Sequence, residues 1–279
     1  MKSSTINLIK TILFSVVILL SASCKSEYEK IRASGDVKKM LLKANEYYDK
    51  GKYQEAQGLY ELLISSLRGG SDAERVFYRY AYTQYNLQKY VTAAYYFKNF
   101  AQSFPRSEFR EEADYMNAYS EFKQSPTYRI DQVPTNKAVE AFQLFINTYP
   151  ESERVKEANK LIDVMRTKLE QKSFEEGNLY YNIKEYQSAI RVYDNLLKDF
   201  PETPKAEAVQ YQIVLSYYEF AVNSILAKQE ERYRGAVTAC EDYLDKNPKG
   251  TYRKEVVRIQ RETTRILKSI SKSISKWVM

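Results

Sequence analysis

Residues 53–60 read Tyr-Gln-Glu-Ala-Gln-Gly-Leu-Tyr, and residues 90–97 read Tyr-Val-Thr-Ala-Ala-Tyr-Tyr-Phe. In each stretch an aromatic residue, an alanine and a second aromatic residue stand at positions i, i+3 and i+7, which share one face of a helix. A small residue between two large ones lets a neighbouring helix approach closely, while the rings fill the space on either side. The recurrence of this order predicts pairs of packed helices.

The same frame recurs five times along the chain. Its alanines are Ala56, Ala93, Ala138, Ala189 and Ala236. The residues four positions later are Tyr60, Phe97, Phe142, Tyr193 and Cys240. A proline stands twelve positions after each of the last four alanines, at Pro105, Pro150, Pro201 and Pro248. Proline ends a helix because it has no N–H to donate. Repeated helix–turn–helix units of about 34 residues resemble tetratricopeptide repeats, so we expect an all-α solenoid of about five helix pairs.

The repeats divide the chain into an N-terminal half, residues 37–152, and a C-terminal half, residues 153–279. A long helix predicted from Glu153 to about Asn182 separates the two halves. In the fifth repeat we predict helices at about 205–226 and 233–246. An amphipathic helix that starts near Thr251 is then expected to cap the solenoid.

The third repeat contains an insertion at residues 124–136. Pro126 and Pro134 stand in a segment without helical periodicity, which predicts a loop. Insertions of this kind lie on one edge of a solenoid and often bind partners. A solvated loop without a function is the alternative.

Residues 1–23 have the features of a secretory signal, because a charged start precedes the apolar run Thr11–Leu20, which is too short to span a bilayer. The run ends in Ser21-Ala22-Ser23-Cys24, which resembles a bacterial lipobox, so we predict that Cys24 is lipidated. The alternative is an ordinary signal peptide cleaved near Ala22, which would leave Cys24 as an exposed thiol in an exported protein. If Cys24 is lipidated, residues 24–36 form the lipidated cysteine and a polar tether.

Composition argues against catalysis and against nucleic-acid binding. The chain of 279 residues has no histidine, which is the commonest general base and metal ligand. Its sequence contains no glycine-rich phosphate loop, paired-cysteine metal motif or serine-nucleophile elbow. The formal charge of +7 falls to +5 when Lys2 and Lys10 leave with the signal, and the basic residues are interspersed with glutamates, as on a solvated helix face. We predict no enzyme, no metal, no cofactor other than the covalent lipid on Cys24, and no nucleic-acid partner.

The first helix of each pair lines the concave face in this type of repeat. In the N-terminal half, seven of ten such positions are aromatic, against 14% of the whole chain. Aromatic rings offer a large, rigid contact area with a polar tip, and Arg75 with Arg79 could attract a carboxylate. The predicted peptide-binding groove consists of Tyr48, Arg75, Tyr78, Arg79, Tyr82, Tyr85, Tyr115, Tyr119 and Phe122. The alternative is that these tyrosines only pack against each other.

A lipobox, a polar tether, five tetratricopeptide repeats and the proline-flanked insertion together resemble the BamD family, the lipoproteins of the outer-membrane β-barrel assembly machinery. The resemblance covers Cys24 to about Lys268. It implies a non-enzymatic scaffold held by its lipid on the periplasmic face of the outer membrane. It also implies three kinds of partner: a BamA-like barrel subunit docked on the C-terminal half, other lipoproteins of the complex, and unfolded outer-membrane protein peptides received by the N-terminal half.

Two other classes of function remain open at this point. One is a tetratricopeptide lipoprotein that organises another cell-envelope or division complex. The other is an enzyme or nutrient-binding protein on the same scaffold, although sugar-capture lipoproteins of that kind carry a large additional substrate domain. Co-purification with a barrel protein that carries periplasmic repeat domains, or with peptidoglycan enzymes, separates these readings.

Replacing Cys24 with alanine is expected to remove the acyl anchor and to move the protein from the membrane fraction to the soluble periplasmic fraction. Fractionation and incorporation of labelled palmitate measure the two effects. Cys240→Ala is the matched control, because it removes the other cysteine of the chain. Palmitate that is still incorporated into Cys24→Ala would mean that another residue carries the lipid.

Overall fold

The computed structural model describes residues 27–67 and 69–278, with side chains as far as Ser271. Within these ranges it contains twelve helices and no strand, and none of the helices is long and apolar enough to span a bilayer. The helices are α1 (Glu27–Ala33), α2 (Val37–Asp49), α3 (Tyr53–Ser66), α4 (Ala73–Asn86), α5 (Tyr90–Ser103), α6 (Arg110–Gln124), α7 (Val133–Thr148), α8 (Val155–Asn182), α9 (Tyr186–Asp199), α10 (Ala206–Val222), α11 (Leu226–Lys246) and α12 (Arg253–Val278). The predicted all-α solenoid of the tetratricopeptide type is confirmed.

Small residues lie where the paired helices touch. All five alanines of the repeat frame are completely buried, and so is each residue four positions later. On the facing first helices, the alanines Ala44, Ala81 and Ala118 are completely buried as well. An alanine at the contact keeps two backbones close, so the ring one turn further on fills the remaining groove.

The chain forms two compact units. Among the described residues, the first unit comprises those up to Ser125 together with Val133–Asn159, and the second comprises Pro126–Gln132 and those from Lys160 onwards. In the first unit, each helix from α1 to α6 packs against the next in chain order. In the second unit, α9 packs against α10, α10 against α11, and α11 against α12.

The insertion in the third repeat is a loop that closes on itself, but it is shorter than the predicted segment 124–136, because α6 ends at Gln124 and α7 already begins at Val133. Proline is tolerated in the first turn of a helix, where its missing N–H has no partner to lose, so Pro134 belongs to α7 and not to the loop. The side-chain amide of Gln132, which is buried, donates to the carbonyl oxygens of Thr127 and Ile130 at 2.8 and 2.9 Å. From α8, the ammonium group of Lys172 donates to the same carbonyl of Ile130 at 3.1 Å. The bond from Lys172 joins Pro126–Gln132 to the rest of the second unit, although the segment interrupts the first unit in sequence.

The predicted polar tether is corrected by the structure, because residues 27–33 form the helix α1. Glu27 stands in its first turn, where a negative charge is favourable, and its carboxylate pairs with Lys43 of α2 at 2.6 Å. Tyr28 meets Tyr47 edge to face, with ring centroids 6.3 Å apart, and its hydroxyl occupies the space that a Cβ at Gly58 would need. The segment next to the predicted lipid site is therefore docked on the first repeat.

The boundary within the fifth helix pair also differs from the prediction. The first helix of that pair ends at Val222, not near residue 226, and α11 begins at Leu226, seven residues before the predicted Tyr233. Ile225 is extended, and residues 226–232 contain no glycine or proline that would delay the helix. An ion pair of 3.2 Å between Lys228 and Glu231, one turn apart, accompanies the earlier start.

Gly177 of α8 faces the ring of Tyr193 on α9, so a larger side chain at this position should overpack the contact between the two helices. A Cβ at this position would lie 2.3 Å from the ring of Tyr193, which is completely buried and donates to the side-chain oxygen of Asn178 at 2.7 Å. Gly177→Ala is expected to lower the free energy of unfolding by about 1–3 kcal/mol. In an unhindered helix, replacing glycine with alanine raises the free energy of unfolding by about 1 kcal/mol. The sign of the measured change therefore distinguishes overpacking against Tyr193 from this intrinsic helix propensity.

Urea denaturation measures the difference. Glu176→Ala, at the exposed neighbouring position, is the control, and its effect should stay within about 0.5 kcal/mol. A Gly177→Ala protein as stable as the wild type would contradict the close approach of α8 and α9.

Candidate functional site

The first helices of the first unit carry a continuous set of aromatic side chains. In α4 and again in α6, three aromatic residues stand at positions i, i+4 and i+7, which keeps them on one side of the helix. In α2 the corresponding last position is also a tyrosine. We call this set the aromatic face, which consists of Tyr48, Tyr78, Tyr82, Tyr85, Tyr115, Tyr119 and Phe122.

The rings of the aromatic face pack against each other and remain partly exposed. Six of them are half-buried, and Tyr115 is buried. The ring centroids of Tyr78 and Tyr82 are 5.0 Å apart, and those of Tyr85 and Tyr119 are 6.2 Å apart across two repeats. These are favourable distances between aromatic rings, so each ring is held in place by its neighbours. The rings of the aromatic face are therefore accessible to a ligand and also packed against one another.

A carboxylate lies at the centre of the aromatic face. Glu112 of α6 accepts a hydrogen bond of 2.5 Å from the hydroxyl of Tyr82 and a second one from the hydroxyl of Tyr78. A guanidinium nitrogen of Arg154 lies 3.4 Å from the same carboxylate. The guanidinium group of Arg154 also lies over the ring of Tyr115, 4.7 Å from its centroid.

The electrostatics fix the protonation states of this cluster. Burial raises the pKa of Tyr82 and of Tyr78, and hydrogen bonding to Glu112 raises both further, so the two hydroxyls stay protonated and donate. Desolvation opposes the ionisation of Glu112, but the bonds from Tyr82 and Tyr78 and the charge of Arg154 outweigh it and hold its pKa below 4.5. An ionised carboxylate with these partners is a structural acceptor rather than a free general base.

The two arginines of the predicted groove have different surroundings. Arg79 lies 3.1 Å from the carboxylate of Asp49, donates to Asn45 at 3.2 Å and covers the ring of Tyr48. Its charge is therefore already paired. Arg75 is exposed and forms no ion pair within the described part of the chain.

Sequence reasoning missed Glu112 and Arg154. A local signal for Glu112 existed, because it stands three residues before Tyr115, as Arg75 stands three residues before Tyr78. Arg154 lies in the connection between α7 and α8, and only its position in space relates it to the aromatic face. Among the residues with described side chains, no group of acidic residues or cysteines is arranged to hold a metal ion.

Comparisons with known proteins point to a single family. The sequence model of a family described as "YfiO: Outer membrane lipoprotein" matches residues 34–232, more than two thirds of the chain. No curated protein matches. The TPR2AB domain of yeast Sti1 in its pHSP90 complex aligns at 14% identity over 82% of this chain and 98% of its own, with a TM-score of 0.36. The human IFIT1 dimer with PPP-AAAA aligns at 16% identity over 84% and 59%, with a TM-score of 0.28, and neither score carries an argument.

The ionisation of Glu112 should contribute to stability in a pH-dependent way. Glu112→Gln is expected to lower the free energy of unfolding by about 1 kcal/mol at neutral pH, because the amide cannot pair with Arg154. The pKa of Glu112 is lower in the folded protein than its ordinary value of 4.5, so this contribution is present above pH 4.5 and is lost as the pH falls through the folded pKa. Urea denaturation of both proteins in neutral and in acid solution measures it.

Glu108→Gln, at an exposed position just before α6, is the control and should change stability little at either pH. A stability difference for Glu112→Gln that persists unchanged in strong acid would refute an electrostatic role.

Proposed function

Because the chain belongs to the family of outer membrane lipoproteins whose sequence model is YfiO, we propose that it is a BamD-like scaffold of the β-barrel assembly machinery. Membership of the family makes it an outer-membrane protein of lipoprotein type. The proposal adds a lipid on Cys24, a position on the periplasmic face, and a role without catalysis. The aromatic face of the first unit is the observation that supports it most directly.

The aromatic face has the properties expected of a surface that holds unfolded segments. An extended peptide rises about 3.3 Å per residue and points alternate side chains to one side, so apolar side chains of a strand-like segment can meet successive rings. Tyrosines provide rigid contact area at a low cost in side-chain entropy. Contact between rings and apolar side chains requires no single sequence, which suits a scaffold that receives many different barrel proteins.

The positions of the charged side chains predict the orientation of a bound peptide. Arg79 is paired with Asp49, so the attraction of a peptide carboxylate falls to Arg75, which is exposed one turn before Tyr78. A segment with a terminal carboxylate and with aromatic and apolar side chains would then meet Arg75 at one end and the rings of Tyr82 and Tyr119 beyond it. The central pair of Glu112 and Arg154 is neutral as a unit and does not repel such a segment.

The second part of the proposal concerns the assembly partners. We assign the docking of a BamA-like barrel subunit to the second unit and the reception of unfolded barrel-protein peptides to the first. Other lipoproteins of the complex complete the set of partners. Isolation of the tagged protein from its membrane should recover, in near-equal amount, a barrel protein with periplasmic repeat domains. Recovery of peptidoglycan or division enzymes without such a barrel protein would favour the alternative of a scaffold for another envelope complex.

Paired substitution tests the peptide site. Tyr82→Ala with Tyr119→Ala is expected to reduce crosslinking to a peptide from the C-terminal end of a barrel protein at least about tenfold, because hot-spot aromatic residues each contribute about 1–2 kcal/mol to binding. Circular dichroism and recovery of the barrel partner should not change.

Tyr95→Ala with Tyr96→Ala is the matched control, because these tyrosines lie on the second helix α5 and outside the aromatic face. Crosslinking as strong in the first pair as in the control would move the peptide site elsewhere, without affecting the assignment of the barrel partner.

A further inference from the structure

The helix α12 carries almost all of the net charge of the chain. It contains eight lysines and arginines and two glutamates, a formal charge of +6, whereas the charge of the whole chain is +7. Both acidic residues, Glu255 and Glu262, lie in its first three turns, and Arg258 pairs with them at 2.6 and 3.4 Å. After Glu262 the helix has four basic residues and no acidic one.

Basic and apolar residues of α12 occupy separate sides. At 3.6 residues per turn, all eight basic residues fall within an arc of about 140°, and the apolar residues other than Val257 form a stripe outside it. The basic residues with described side chains are all exposed, and they are Arg253, Lys254, Arg258, Arg261, Arg265 and Lys268.

The apolar stripe of α12 extends beyond the core against which it packs. Val256 and Ile259 are buried in the core of the second unit. Ile270, further along the same stripe, is only half-buried. The sequence continues the stripe at helical spacing with Ile274 and Trp277, and α12 extends to residue 278. Residues 266–278, which we call the terminal segment, therefore combine an apolar stripe with lysines and no acidic residue.

We propose that the terminal segment of α12 binds an anionic lipid surface, as a membrane contact additional to the lipid on Cys24. Helices that lie in the membrane interface bury an apolar stripe among the headgroups and place lysines around it. Anionic headgroups attract the lysines, and a tryptophan at the end of the stripe is stable at the boundary between hydrocarbon and water. The inference goes beyond the proposed role in barrel assembly and needs no barrel subunit.

The choice of a lipid surface rather than an acidic protein follows from the type of basic residue. After Arg265 every basic residue of the helix is a lysine, at positions 268, 272 and 276. Protein carboxylates are recognised most specifically by the planar, bidentate guanidinium group, whereas lysine acts as a hydrated point charge that suits a diffuse anionic surface. The family of this chain is, moreover, one of outer membrane proteins, so such a surface is present where the protein works.

Trp277 is the only tryptophan of the chain and reports on the terminal segment without any label. The whole mature chain with Cys24→Ala, which lacks the lipid, is mixed with vesicles of equal parts phosphatidylglycerol and phosphatidylcholine, or of phosphatidylcholine alone. We expect its emission to shift to shorter wavelength with the anionic vesicles only, and the shift to reverse at high salt.

Charge reversal locates the binding to the terminal segment. In the same Cys24→Ala chain, Lys268→Glu, Lys272→Glu and Lys276→Glu together are expected to reduce sedimentation with the anionic vesicles more than about tenfold, since each lysine near such a surface contributes to binding. The matched control, Lys156→Glu, Lys160→Glu and Lys249→Glu, changes the net charge equally at exposed positions elsewhere and should reduce sedimentation less than about twofold. Circular dichroism verifies that both variants are folded.

Three results would overturn the proposal. One is an unchanged emission of Trp277 with anionic vesicles. Another is an equal loss of sedimentation in both triple variants, which would reduce the effect to net charge. The third is undiminished vesicle binding by the terminal-segment variant together with loss of a co-purifying protein, which would make the segment a protein-binding site. The first two results leave peptide crosslinking and recovery of a barrel subunit unaffected, so they test the lipid contact separately from the proposed function.

Discussion

The close approach of paired helices at small side chains is the constraint on which the rest of this structure depends. Ala93 and Phe97, one turn apart in α5, are both completely buried, and Gly177 leaves only enough space for the ring of Tyr193. Because the backbones are this close, the large residue one turn away has to fill a groove of fixed shape. The same geometry, repeated along the chain, buries a core that no single helix pair could provide.

Hydrogen-bonding requirements in that core determine where the aromatic face can exist. The buried hydroxyls of Tyr60 and Tyr193 need acceptors and find them in Asn45 and Asn178, fifteen residues earlier on the first helix. In the second repeat the core ring is Phe97, which has no hydroxyl, so the position equivalent to Asn45 is free to be Tyr82. The hydroxyl of Tyr82 points instead to Glu112. The second repeat therefore has a phenylalanine in the core where the first has Tyr60, and at the position of Asn45 it has Tyr82, which is part of the candidate binding surface.

Contacts between successive repeats follow a second rule. The hydroxyl of a loop serine or threonine two residues after the helix-ending proline donates to a glutamate of the preceding first helix. Three such bonds are Ser107 to Glu74 at 2.6 Å, Ser152 to Glu111 at 2.5 Å and Thr203 to Glu170 at 2.9 Å. Each hydroxyl also accepts from a backbone N–H two residues later, which shapes the start of the next helix. In these connections the proline ends one helix, and the hydroxyl two residues later joins the loop to the preceding repeat and to the start of the next helix.

The sequence by itself determined the fold class, the helix pairs and the buried small residues, because helical periodicity and the spacing of alanine, aromatic residue and proline are local properties. It also placed the tyrosines of the aromatic face on the first helices, and it contains the charge of α12. Only the tertiary structure decided how those tyrosines are used. Tyr82, Glu112 and Arg154 come from α4, α6 and the connection before α8, and the local sequence does not show that the three side chains meet. For the same reason the docking of α1 over Gly58 and the closed insertion escaped prediction. Such contacts depend on which distant backbones meet, and that is set by the accumulated packing of the repeats rather than by any one segment.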